Sequence, residues 1–118
     1  MHGDQTHGIN DLRSFYINSR KQLDVYADKF TSKYLKSTFS YIFESYSKEY
    51  PATLKIHKLP KYMITKSNKK KISIQSIMVD HGNVKSNCFI ISKKLAYISD
   101  VNKIYAKDFK YFKNLKYL

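Results

Sequence analysis

A lone cysteine, Cys88, leaves the chain without a partner for an internal disulfide and fits a reducing compartment. No apolar stretch approaches the length of a membrane span, and the first residues lack the basic-then-apolar layout of a signal peptide. A soluble cytoplasmic protein is therefore expected. Carboxylates are scarce: nine Asp and Glu face 22 Lys and Arg, a formal charge of +13 that suits an acidic or phosphate-bearing partner. Arginine, the usual reader of phosphates and guanines, is limited to Arg13 and Arg20. Its scarcity weighs against nucleic acid and in favour of lysines that mostly coat a solvated surface. Tryptophan is missing and Gly and Pro are few, while Lys, Ile, Tyr, Asn, Phe and Ser abound, the usage of an AT-rich genome. Internal repeats, low-complexity tracts and linkers are also lacking.

What is present fits one folded domain of 118 residues, with 42% hydrophobic and 15% aromatic residues arguing against disorder. Residues 77–100, IMVDHGNVKSNCFIISKKLAYISD, organise the rest. An apolar run ends at Asp80, His81 and Gly82. A turn-like stretch 83–87 leads into a second run, 88–91, and Lys93 and Lys94 separate it from a third, 95–98, ending at Ser99 and Asp100. Three short apolar runs split by turn residues predict consecutive strands. His81 and Asp100 then stand where strand passes into loop, the position at which a rigid sheet presents chemistry. On the residues alone, an ordinary turn histidine and a helix-capping aspartate are the favoured reading of this stretch.

Toward the N-terminus, Asn10 or Asp11 is expected to cap a short helix carrying Leu12, Phe15 and Tyr16 on one face, broken over 18–21. Residues 22–27 alternate as a strand with one buried face. Asp28 caps the principal element, one long helix over 29–47 with Phe30, Tyr34, Leu35, Phe39, Ile42, Phe43 and Tyr46 inward. Pro51 prevents its continuation, and 54–59 alternate as an edge strand with a solvated His57. A possible strand at 62–65, a lysine hairpin tip at 68–71 and a strand at 72–79 follow. Beyond Asp100 the pattern predicts a turn at 101–105, a short helix at 106–113 and a strand opening at 115–118.

A hydrolytic two-metal site draws imidazoles and carboxylates from several loops at one sheet edge, with one carboxylate able to bridge the ions. His2, Asp4, His81 and Asp100 are the right residue types at the right structural places. The run 2–13, HGDQTHGINDLR, resembles the tail of the H-x-H-x-D-H signature of the metallo-β-lactamase superfamily, followed by H-G-I/L-D-D-L-R. That form belongs to the branch similar to phosphoribosyl cyclic phosphodiesterases. Val25 to Asp28 with Thr31, Leu35 and Tyr41 to Phe43 resembles the strand and helix that follow in that family. Val79 to Gly82 resembles its histidine-glycine loop, and Leu95 to Val101 its A-Y-L/I/V-S/T-D-V segment. Five motifs run in the family's order over essentially the whole chain.

The resemblance implies an α/β (α+β) fold: a partial metallo-β-lactamase-type αββα sandwich with mostly antiparallel or mixed strands. It implies a divalent Zn or Mn centre in which His2 and His81 bind one ion, Asp4 the other, and Asp100 bridges both. It assigns catalytic weight to Asp4 and Asp100 in hydrolysis of a small phosphodiester. The departures from the pattern are as definite. The signature's first histidine has no counterpart, its last is Gln5, a weak neutral oxygen ligand, and Cys88 stands at a family glycine. The family often has a histidine at the position of His7 without using it for metal. The expectation is a middle section of a metal-dependent hydrolase, without the first strands and the final histidine. It would be inactive alone and in need of a complementary fragment, with unpaired edges on the strands at 23–26 and 72–79. The alternative is a small basic nucleic-acid-binding or interaction module built on Lys69, Lys70 and Lys71.

Overall fold

A computed structural model describes residues 3–118, which divide into two compact units, one up to Leu59 and the other Pro60–Leu118. The architecture is mixed α+β, with one parallel strand pair and one antiparallel meander.

In the first unit, a 3-10 helix His7–Leu12 runs directly into α1, Arg13–Ser19. The expected side-chain cap from Asn10 or Asp11 does not form, because the Arg13 N–H is already taken by the Asn10 and Asp11 carbonyls. The Asn10 amide oxygen instead accepts from the Tyr41 hydroxyl at 2.6 Å. Arg20, in the left-handed region at φ 56°, ends the helix.

Strand β1, Leu23–Ala27, pairs in parallel with β2, Leu54–Lys58, from Leu23 against Leu54 to Ala27 against Lys58. Parallel strands need a crossover, and here it is helical. Asp28 caps α2, Lys29–Thr38, with its Oδ1 accepting from the Thr31 N–H at 2.8 Å. The single long helix expected over 29–47 is two helices: Phe39 leaves helical geometry at φ −124°, and α3 spans only Ser40–Phe43. Serine and threonine hydroxyls compete for the backbone in this stretch, as Ser47 does by accepting from the Glu49 and Tyr50 N–H groups. Leu35, Phe39 and Ile42 form the buried stripe with Ala27 and Leu54, whereas Phe30 and Tyr46 at its two ends are exposed. His57 is not simply solvated: it meets Asp24 at 2.6 Å and stacks on Tyr26.

The second unit is a meander in the order β3, Tyr62–Ser67; β4, Lys70–His81; β5, Val84–Ile91; β6, Leu95–Tyr97. Asn68 and Lys69, at φ 47° and 64°, make the two-residue turn of the lysine tip, matching the right-handed strand twist. The second turn is Gly82 and Asn83 alone, so 84–87 belong to β5 and not to the expected turn. Gly82 has φ 59°, where a side chain would be strained.

The strand expected to have an open edge at 72–79 is paired with β3 as far as Gln75 and with β5 from Ile74 onward, so the open edge is confined to its second half. Ile77, Val79, Cys88, Ile90 and Ala96 form its core face, covered by Ile98, Ile104, Tyr111, Phe112 and Leu115. The expected turn at 101–105 contains a bridge from Lys103 to Asp80. The short helix is 3-10, Ala106–Phe112, and the strand opening at 115–118 is a single bridge from Tyr117 to Leu95. Among the described residues no helix is long and apolar enough to cross a membrane.

Candidate functional site

Strands β4 and β6 run in the same direction because each is antiparallel to β5. Their C-terminal ends therefore open toward one rim of the sheet. His81 is the last residue of β4, and Asp100 follows β6 by three residues. Side chains alternate along a strand, so His81 continues the face of Ile77 and Val79, the core face. Residues 98–104 cross that same face, since Ile98 and Ile104 both pack on its core.

The crossing is fastened at the rim. The Asp80 N–H donates to the Lys103 carbonyl at 3.0 Å, and the Asp80 carbonyl accepts from the Asn102 and Lys103 N–H groups at 2.7 and 3.2 Å. The Gly82 N–H donates to the Asn102 Oδ1 at 2.6 Å. Two residues of chain span at most ~7 Å, so the anchor at Asn102 keeps Asp100 beside the His81–Gly82 turn. Both His81 and Asp100 are half-buried.

Asp4 lies in the first unit, exposed in a 3-10 helix Gly3–Gln5. His2 falls outside the described residues. Among the described residues, no three His, Cys, Asp or Glu side chains assemble as a metal-holding group. A catalytic zinc takes three protein ligands, so the described donors by themselves do not fit the metal centre that the resemblance implies. Of the expected donors, the second unit holds one imidazole and one carboxylate, His81 and Asp100.

A second polar cluster at this rim is not foreseen by the sequence pattern. The Asp80 Oδ1 accepts from the Lys85 ammonium at 2.5 Å and from the Tyr105 hydroxyl at 2.6 Å, and Lys85 also donates to the Tyr105 oxygen. These bonds, Lys85 first and Tyr105 second, hold the Asp80 carboxyl below its ordinary range. The same partners, Asp80 first, push the Lys85 ammonium up. The register pairing of Asp80 with Lys85 could have been foreseen once the turn was narrowed to Gly82 and Asn83; the arrival of Tyr105 from 25 residues away could not. A cavity of about 320 Å³ in the first unit, lined by Phe43, Leu54 and Ile56 with Lys36, Glu44 and Lys55, holds none of the expected ligands.

No protein-family model matches the chain, and no curated protein does. Among solved structures it is similar to the crystal structure of a new diphosphatase from the PhnP family. The TM-score is 0.73 at 21% sequence identity, over 97% of this chain and 42% of that one. The chain thus spans less than half the length of that diphosphatase. At this identity the likeness concerns the fold, a mixed α+β architecture consistent with part of a metallo-β-lactamase-like fold.

Proposed function

We propose that this chain is a section of a metallo-β-lactamase-type, metal-dependent hydrolase acting on small phosphodiesters or diphosphates, contributing His81 and Asp100 to a centre that it does not complete alone. What supports this reading is that the strand end carrying His81 and the crossing segment carrying Asp100 are fastened at one rim of the sheet, in a chain whose fold is similar to a diphosphatase over 97% of its length. His2 and Asp4 are the further donors of the proposal, and Gln5 is the position at which it is weakest. The remaining donors come from further chain or from a complementary fragment of the same fold. Zinc or manganese is the proposed ion, and the single buried cysteine fits a cytoplasmic setting.

A chimera tests this: residues 1–118 replace the matched section of the PhnP-family diphosphatase, and hydrolysis of bis(4-nitrophenyl) phosphate is followed with added manganese. Metal-dependent turnover that Gln5→His raises and Asp100→Ala abolishes is the expected result. A folded, soluble chimera with no turnover in any of these forms would overturn the reading.

A further inference from the structure

Three lysines gather around one tyrosine in the second unit. The Nζ atoms of Lys85, Lys107 and Lys103 lie 5.0, 5.6 and 6.0 Å from the centroid of the Tyr105 ring. Lys103 and Lys85 flank Asp80 on its two sides in the sheet, so the three side chains stand in a row on one face. Alternation along β4 makes this the face opposite to that of His81.

The row is unbalanced. Among the described residues Asp80 is ion-paired with Lys85 and not with Lys103 or Lys107, and its Oδ1 is already shared between Lys85 and the Tyr105 hydroxyl. Three like charges within 6.0 Å of one ring centroid repel one another, by an amount that falls with their separation. Scattered solvated lysines would avoid one another. The ring offers Lys103 and Lys107 a weak cation–π attraction without neutralising either, while Lys85 sits at its hydroxyl edge. Lys103 and Lys107 are exposed, so their ammonium hydrogens can reach a ligand from solvent.

We propose that Lys85, Lys103 and Lys107 form a binding site for a small phosphate anion, whose oxygens accept from the three ammoniums at the rim of the Tyr105 ring. A compact anion fits better than a nucleic acid strand. The cations cluster within 6.0 Å of one ring centroid instead of tracking a backbone, and the aromatic ring on which a base would stack is the one they flank. The site requires neither a metal nor the hydrolase reading, since it lies on the other face of β4 from His81.

Calorimetric titration of the whole chain with pyrophosphate tests it, at about 0.15 M ionic strength where the screening length is about 8 Å. Saturable binding of one anion per chain is expected. The Lys103→Gln/Lys107→Gln variant should bind about tenfold more weakly or worse, the factor carried by one lost charge-assisted hydrogen bond. Lys69→Gln/Lys71→Gln, which removes the same charge at the hairpin tip, should bind as the parent does. Lys107→Gln alone supplies the test if the double variant fails to fold. Equal weakening by the tip variant, no saturable binding, or binding of a single-stranded oligonucleotide in place of pyrophosphate would each overturn the proposal.

Discussion

Asp80 and Lys103 exchange backbone hydrogen bonds in both directions, at 3.0 and 3.2 Å. This one bridge closes the part of β4 that β3, ending its pairing at Gln75, leaves uncovered. It also fixes the course of residues 98–104, and with it the position of Asp100. The candidate rim is therefore a consequence of edge protection in the sheet as much as of the residues it carries.

The Asn102 side chain is the second fastening of that crossing, through the Gly82 N–H. Asn102→Ala is expected to destabilise the fold by about 1 kcal/mol, a typical hydrogen bond's net worth. For a unit of this size that lowers the unfolding midpoint by about 4–8 °C. Thermal denaturation followed by circular dichroism measures it, and an unchanged midpoint would show that the crossing is held elsewhere.

Cys88 is fully buried in β5, and burial pushes its thiol up to about 11. Only the thiolate attacks alkylating and disulfide reagents. In native buffer near pH ~8 the thiol should resist 5,5′-dithiobis(2-nitrobenzoic acid), and denaturant should release it, close to the unperturbed thiol range. Prompt labelling of the folded protein would mean that β5 opens from between β4 and β6.

The Asp80–Lys85 pair has a pH window set by its two shifts. Asp80 titrates below its ordinary 3.8, so its contribution is present above that value and is lost as pH falls through the lowered one. Lys85 titrates above its ordinary 10.5, so its contribution is present below that value and is lost as pH rises through the raised one. The stability difference between the parent and Asp80→Asn should be flat between these limits and shrink at both extremes. Urea unfolding over the pH range reads it directly. A difference that changes steeply near neutrality would point to a histidine instead.

Much of the fold was legible in the residues. Alternation marked β1, β2 and β4, and Asp28 announced the start of α2. The aromatic stripe identified Leu35, Phe39 and Ile42 as core. The helix end was not legible, because hydroxyl competition at Ser47 and the break at Phe39 act against a periodicity that continues to Tyr46. The Asp24–His57 contact escaped because it joins two strands whose parallel pairing depends on the whole crossover. For the candidate site, the strand-end placement of His81 and Asp100 followed from local pattern. Their common rim did not, since it depends on where residues 102 and 103 attach.

The central claim is that His81 and Asp100 act together at one rim. Manganese titration of the isotope-labelled chain tests it most directly, because the paramagnetic ion broadens the amide signals nearest to where it is held. Signals of His81, Gly82 and Asp100 are expected to broaden first and together, and His81→Ala or Asp100→Ala should remove the effect from all three. Broadening spread over other carboxylates such as Asp24 and Glu49, with the signals at 81 and 100 unaffected, would contradict it.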